Sequence, residues 1–185
     1  MIIDTGAPGL VISPQLAEKL GVFSQDEGRV WIIASGIGGS TPAIRTIIDK
    51  VQMGGASDRF VPTTVTRLIS PSFEGLIGMD FTSKYSMKVD PLKKVVVFEE
   101  LPPDLNAPGG RDERWWKSTF QEFNDYLNAW QQYGEAIDRR IQRGIDKEGL
   151  KKLKTFSEGQ YEQANKLHDR LERYASEYSV PRQWR

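Results

Sequence analysis

An acid, a hydroxyl residue and a glycine stand together almost at the start of the chain, in the run Asp4-Thr5-Gly6-Ala7. The apolar residues Ile2 and Ile3 come before it and predict a short strand that ends at the acid. Such an arrangement also occurs where an ordinary turn closes a strand. Two carboxylates held about 3 Å apart share a proton, so that one activates water while the other donates to a carbonyl oxygen. Because one chain supplies one such Asp, this chemistry predicts a symmetric pair of chains.

Two later segments accompany this turn, and a closing strand is predicted at 93–98. The run Ser35-Gly36-Ile37-Gly38-Gly39-Ser40 is rich in glycine, which permits the positive φ angles of a tight hairpin and a close approach of the backbone to a bound chain. The run Leu76-Ile77-Gly78-Met79-Asp80 joins apolar residues and a glycine to a second acid, which we expect to cap a short helix. The order and spacing of these segments are more specific than any one of them.

With these motifs, the region from Ile2 to about Glu99 resembles the retropepsin-like aspartic proteases, which include retroviral proteases, the protease-like domain of DNA-damage-inducible ubiquitin shuttles and bacterial relatives. The resemblance covers just over half of the chain. It implies a closed, barrel-like acid-protease fold in a mainly β N-terminal half, here in a bacterial-type member with a C-terminal helical extension. It also implies an endopeptidase that acts as a homodimer on a peptide or protein substrate, without a metal or other cofactor.

The resemblance further implies roles for individual residues. Asp4 would be the catalytic carboxylate, Thr5 would bridge to the partner's loop, and Gly6 would hold the loop. The substrate-binding flap would be formed by Gly36, Ile37, Gly38 and Gly39. Gly78 would pack beneath the catalytic loop. Ala7 stands where pepsin-like enzymes usually have Ser, so we expect a less acidic pH optimum than theirs.

The chain departs from the family pattern at its start. Family members usually have a hairpin of strands before the catalytic Asp, whereas three residues precede Asp4. We therefore expect either a truncation or another element in place of those strands. The alternative to an enzyme is a degenerate protease fold that serves as a non-catalytic scaffold or binding module and acts through its C-terminal helices.

A helix is predicted early in the β half, and a spacer ends that half. Ser13 can cap the helix, Pro14 suits its first position, and Gly21 can end it after Leu20. Residues 101–110 contain three prolines and two glycines, which disfavour strand and helix. We therefore predict a protease-like domain at 1–103, a linker at 104–111 and a helical region at 112–185.

Apolar residues of the C-terminal region recur at alternating steps of four and three, the period of a helix that buries one face. These positions are Trp116, Phe120, Phe123, Leu127, Trp130, Gly134, Ile137 and Ile141. After a break at 144–149, a second stretch places on one face Leu167, Leu171, Tyr174 and Tyr178. The pattern predicts an antiparallel helical hairpin. Since Trp115 adjoins Trp116, one of the two must leave the buried face, and it could contact a protein partner.

Composition excludes several other classes of protein. Lys plus Arg equals Asp plus Glu at 25 each, and Cys is absent, so neither a nucleic-acid surface nor a Cys-based metal site is predicted. The single histidine, His168, is expected on a solvated helix face, and no metal site is predicted. The glycines at 36–39 lack the Gly-Lys-Ser/Thr of a phosphate-binding loop. A basic cluster, expected to be a solvated connector, consists of Lys147, Lys151, Lys152 and Lys154.

The sequence does not indicate the cellular compartment of the protein. No apolar run approaches the roughly 20 residues that span a bilayer, so the chain as written is expected to be soluble. A signal peptide or membrane anchor upstream of Met1 would place the site in the periplasm or outside the cell.

Overall fold

The computed structural model of the chain describes residues 1–24, 26–36, 39–68, 70, 72–102, 104, 106–144 and 147–185. The chain forms two compact units. The first, the sheet unit, consists of Met1–Asp26 and Trp31–Leu105. The second, the helical unit, consists of Glu27–Val30 and Asn106–Arg185.

Most strands belong to one six-stranded sheet. The described strands are β1 Ile2–Ile3, β2 Leu10–Ile12, β3 Val30–Gly36, β4 Gly39–Met53, β5 Ala56–Val65, β6 Gly75–Ile77, β7 Tyr85–Asp90 and β8 Val95–Glu100. The order in the sheet is β1-β6-β2-β5-β4-β3, so β1 and β3 lie at its edges. β2 pairs parallel with β5 and antiparallel with β6. No described residue pairs β1 with β3, so the mainly β half is confirmed, while the closed barrel stays a prediction.

One face of this sheet carries the core of the sheet unit. Helix α1, Pro14–Lys19, begins at the predicted cap, where Ser13 Oγ accepts a hydrogen bond from the Leu16 backbone N–H at 3.1 Å. Gly21 follows the helix with a φ of +70°, a conformation that glycine adopts without strain. The predicted start and end of this helix are therefore confirmed. The buried core consists of Leu10, Ile12, Ala17, Val22, Ala56, Val61, Val65, Ile77 and Phe81.

Strands β7 and β8 form a separate two-stranded sheet. Phe98 of β8 packs against Phe81 and Tyr85, with ring centroids 6.1 and 5.7 Å away. On the opposite face of β8, Val95 and Val97 are 45% and 46% exposed. Within the described part of the chain β8 pairs with β7 alone, so its other edge has no strand partner there.

The helical unit is built on two long helices, α3 Glu113–Gln142 and α4 Lys147–Glu177. They pack antiparallel: the ring of Trp116 near the start of α3 lies 5.5 Å from that of Tyr174, and Trp130 lies 5.6 Å from Phe156. The buried residues of the seam include Trp116, Phe120, Phe123, Ile137, Leu150, Leu167, Leu171 and Tyr174. No helix in the described ranges is long and apolar enough to cross a membrane.

Adjacent tryptophans separate as the sequence predicts. Trp116 is fully buried, whereas Trp115 is half-buried, with the Arg111 guanidinium 4.4 Å from the centre of its ring. Ahead of them, residues 108–110 of the predicted spacer form a short 3₁₀ turn.

Three sequence predictions for this region need correction. The break between the helices is shorter than 144–149, because α4 begins at Lys147 and includes Gly149. The basic cluster therefore lies on α4 rather than in a connector. His168 is half-buried instead of solvated, because its ring packs on Phe120 with the centroids 5.9 Å apart.

Candidate active site

The Asp4 turn begins where two parallel strands end. β1 pairs parallel with β6, with Ile3 beside Ile77, so the residues after both strands meet at one edge of the sheet. The backbone N–H of Asp4 continues the ladder and donates to the carbonyl oxygen of Ile77 at 2.9 Å. The sequence therefore brings Asp4 next to Gly78, although 73 residues lie between them.

Inside the turn, the backbone holds the side chain of the acid. The Gly6 N–H donates to Asp4 Oδ1 at 2.9 Å, and the Ala7 N–H donates to the Asp4 carbonyl oxygen at 3.2 Å. Asp4 is half-buried, whereas Thr5 and Gly6 are exposed. Asp4, Thr5 and Gly6 thus share one turn, in which an amide hydrogen bond orients the carboxylate and the neighbouring hydroxyl residue faces outward from the chain.

The second half of the turn lies on the start of helix α2, Met79–Thr82. The first amide groups of a helix have no partner within it. Here the Met79 N–H donates to the Ala7 carbonyl oxygen and the Asp80 N–H to that of Pro8, both at 2.9 Å. The turn therefore supplies the acceptors that a capping side chain would otherwise provide.

Gly78 lies directly under this contact and is buried. A Cβ atom at position 78 would lie 2.4 Å from the Ala7 carbonyl oxygen and 2.5 Å from that of Gly9. Both are backbone atoms, which cannot rotate away as a side chain can. Only glycine therefore permits the turn to sit on the β6–α2 junction.

The prediction that Asp80 caps this helix is wrong. The cap position is occupied by Gly78, without a side-chain hydrogen bond, and Asp80 lies in the first turn of α2. Its carboxylate lies beside Gly9, with Oδ2 3.2 Å from the position of a Cβ there. Pro8 and Gly9 contribute to this contact through backbone atoms, so their residue types do not indicate the role.

The predicted flap is described only in part. β3 ends at Gly36 and its neighbour β4 begins at Gly39, which has a φ of +100°. The hydroxyl oxygens of Ser35 and Ser40 lie 2.9 Å apart. The intervening Ile37 and Gly38 lie outside the described residues.

Chemically, the described part of the site offers one oriented carboxylate. The Asp4 carboxylate accepts a hydrogen bond from Gly6, and the described residues contain no group of three or more His, Cys, Asp or Glu side chains that could hold a metal ion. A lone carboxylate can act as a general base or acid toward a water molecule. A second carboxylate is needed to divide these two roles.

The sequence of this region matches a known family model. Residues 1–81 match the model described as Aspartyl protease, and this match includes the Asp4 turn, Gly78 and the start of α2. A protein named DNA damage-inducible protein 1 from Neurospora crassa is 28% identical over 103 residues, which cover 55% of this chain and 23% of that protein. Residues 1–81 therefore match the aspartyl protease family, and the similarity to this relative supports a retropepsin-like member of it.

Other relatives of this retropepsin-like region show the same extent of similarity. DNA damage-inducible protein 1 from Phaeosphaeria nodorum is 27% identical over 54% of this chain and 22% of its own length. The Arabidopsis thaliana protein DNA-DAMAGE INDUCIBLE 1 is 30% identical over 48% of this chain and 20% of its own length. The chain spans less than a quarter of the length of these curated relatives.

A solved structure also matches the retropepsin-like region. The crystal structure of a retropepsin-like aspartic protease from Rickettsia conorii is 20% identical, with a TM-score of 0.36, over 52% of this chain and 69% of that one. The family assignment rests on the sequence matches.

Proposed function

We propose that the protein is an aspartic endopeptidase whose active site contains Asp4 from each of two copies of the chain. The observation that carries the proposal is the anchoring of the Asp4 turn on the β6–α2 junction. Hydrogen bonds from Asp4, Met79 and Asp80 hold this turn, and the Gly6 N–H orients the carboxylate within it. A preorganised acid of this kind suits general acid/base catalysis.

In the proposed reaction, one Asp4 carboxylate removes a proton from water as the water attacks the peptide carbonyl carbon. The Asp4 of the other chain, which carries the shared proton, donates it to the carbonyl oxygen. Thr5 is exposed beside the acid and would hydrogen-bond to the partner's turn. The hairpin with Gly36 and Gly39 at its described ends would cover the bound peptide as a flap.

The direct test compares cleavage of a peptide library by the wild-type chain and by Asp4→Asn. We expect the variant to lose at least about a hundredfold in kcat/KM, because it can neither accept nor share the proton. Asp80→Asn is the matched control, since this acid lies on the same junction with its carboxylate against Gly9. Equal residual activity in wild type and Asp4→Asn would exclude Asp4 as the catalytic acid.

A mixing experiment separates a dyad shared by two chains from one within a single chain. Wild type and Asp4→Asn are combined in equal amounts at fixed total concentration and allowed to exchange partners. If each active site needs both copies of Asp4, about a quarter of the dimers are active, whereas a site within one chain leaves about half of the activity. Sedimentation velocity on the same samples measures the dimer fraction.

The alternative is a scaffold that acts through the helical unit. A cleft of about 230 Å³ between α3 and α4 is lined by residues that include Trp130, Gly134 and Tyr161, and Tyr161 is 37% exposed. A protein side chain could dock in such a cleft. Absence of cleavage by a dimeric wild-type chain would favour this function over the enzyme.

A further inference from the structure

The short segment Glu27–Val30 belongs to the helical unit, although it lies between two parts of the sheet unit in sequence. Two residues of α4 hold it. The Arg29 backbone N–H donates to Gln163 Oε1 at 3.0 Å. Arg170 Nη1 donates to the carbonyl oxygen of Glu27 at 3.0 Å and lies 3.4 Å from the carboxylate of the same residue. The segment is thus bound to α4 by backbone as well as side-chain groups.

Gly28 shows that the segment and α4 fit closely. Its φ of +100° favours glycine, and the residue is buried. A Cβ atom there would lie 2.7 Å from Leu167 Cδ2 and 3.0 Å from the Leu167 backbone nitrogen. Because Leu167 is fully buried in the helical seam, its side chain has little space to move away. The absence of a side chain at position 28 is therefore required for this contact.

The segment ends where the predicted flap hairpin begins. Val30 is fully buried, and it is both the last residue of the segment and the first residue of β3. β3 then runs to Gly36, and its sheet neighbour β4 starts at Gly39. One peptide bond separates the anchored segment from Trp31, so fixing Glu27–Val30 restricts the start of β3 directly.

We infer that Gln163, Leu167 and Arg170 are positioning residues of the peptidase. They fix the start of β3, and through it the hairpin that covers the substrate. This role rests on the proposed function. None of the three acts on the reacting atoms; they reduce the disorder that the hairpin loses when a peptide binds. The helical unit thereby contributes to catalysis through the stretch of chain that it holds.

The first test measures hydrogen exchange in Gln163→Met and Gln163→Glu. Met removes the acceptor for the Arg29 amide, whereas Glu retains a carboxylate oxygen in its place. We expect Gln163→Met to raise amide exchange in residues 31–36 about fivefold relative to α4 in the same sample, as loss of one hydrogen bond predicts. Gln163→Glu should exchange like the wild type. The ratio to α4 cancels any uniform loss of stability.

A second pair of variants tests the fit at Gly28. Gly28→Ala introduces the contact with Leu167, whereas Gly144→Ala changes a glycine of the same unit that has a φ of +78° and no atom within 4 Å of an added Cβ. Both variants incur the backbone strain of a positive φ. We expect Gly28→Ala alone to raise exchange in residues 31–36.

The kinetic readout is a split between KM and kcat. We expect Gln163→Met to raise KM about fivefold and to change kcat less than about twofold, because the lost anchoring weakens binding in the ground and transition states alike. Rescue by Gln163→Glu distinguishes this effect from general damage.

Two outcomes would overturn the inference. One is exchange in residues 31–36 that stays constant relative to α4 in Gln163→Met and Gly28→Ala. The other is an equal response of Gln163→Met and Gln163→Glu. An inactive wild-type chain would contradict the proposed function instead, while the exchange data would still decide whether α4 fixes β3.

Discussion

Gly78 is the residue whose replacement tests the support of the Asp4 turn. A Cβ atom there would meet the backbone of Ala7 and Gly9 at 2.4 to 2.8 Å. We expect Gly78→Ala to lower the free energy of unfolding of the sheet unit by about 2 kcal/mol, because the turn must shift to accept the methyl group. Hydrogen exchange of β2 and β5 in increasing urea measures this change.

Gly55→Ala is the control for that substitution, because no atom lies within 4 Å of a Cβ at the exposed position 55. Its effect should stay within about 0.5 kcal/mol. Equal destabilisation by both variants would show that the close approach of a Cβ at position 78 to the turn is not the cause of the loss of stability.

Ala7 offers a residue-scale prediction about pH. A serine at this position would add a hydroxyl group that can donate to the ionised pair of acids and stabilise it. We expect the acidic limb of the pH–rate profile to move to lower pH in Ala7→Ser, with the wild type most active above the range of pepsin-like enzymes. A wild-type optimum near pH 2 to 3, the range expected from a pepsin-type dyad, would contradict this.

Single residues with strong local preferences were predictable from the sequence. The start of α1 at Ser13 and Pro14 follows from capping and from the fixed φ of proline. The prediction that Asp80 caps α2 is wrong because the backbone of a turn more than 70 positions earlier accepts the hydrogen bonds of the first amide groups of the helix. The φ of +53° at Phe60, inside β5, is not indicated by any residue near it in the sequence.

At the scale of elements, the pairing of α3 and α4 includes a titratable contact. The Lys154 ammonium donates a hydrogen bond to Asp138, and this bond raises the pKa of Lys154 above its ordinary value of 10.5. A raised folded-state pKa stabilises the folded protein fully below the unfolded value, and this contribution disappears as the pH rises through the folded value.

The corresponding prediction concerns thermal unfolding of the helical unit. Lys154→Gln should lower the midpoint at neutral pH, and the difference from the wild type should shrink above pH 10.5. Lys152→Gln is the control, because that side chain is 80% exposed and its partner Glu148 is 89% exposed. A difference that stays constant with pH would contradict a role for the charge.

The helices were easier to predict than the sheet. Apolar residues at steps of three and four indicate α3 and α4, because a helix repeats its environment along the local sequence. β5 was not predicted as a separate strand, although it pairs with β4 from Ile44 to Met53 and also with β2. Strand partners depend on chain segments far apart, which local spacing does not encode.

At the scale of the whole molecule, the proposed dimer needs a surface, and β8 provides a candidate. Its outer face carries Val95 and Val97, which are 45% and 46% exposed in the described part of the chain. We expect Val97→Asp to weaken dimerisation at least about tenfold, because it removes apolar area and buries a charge. Leu92→Asp is the control, since Leu92 is 96% exposed in the turn between β7 and β8. Sedimentation equilibrium measures both, and equal dissociation constants would exclude this face as the interface.

The connection between the helical unit and Glu27–Val30 also belongs to this scale. Its contacts join residues 134 to 143 positions apart. In the sequence, Gly28 is an ordinary glycine before a strand, and nothing indicates that it meets Leu167. Such a contact arises from the tertiary fold alone.

That segment also limits how the protein can be dissected. The chain passes between the two units at three places, after Asp26, after Val30 and after Leu105. A protease that nicks the 101–110 spacer would cut only one of these passages, so the C-terminal fragment would remain bound to Glu27–Val30. A shortened gene that ends at the spacer would instead expose Gly28 and Val30 to solvent. Removing the helices is therefore an alteration of the N-terminal fragment too, and not a neutral way to isolate it.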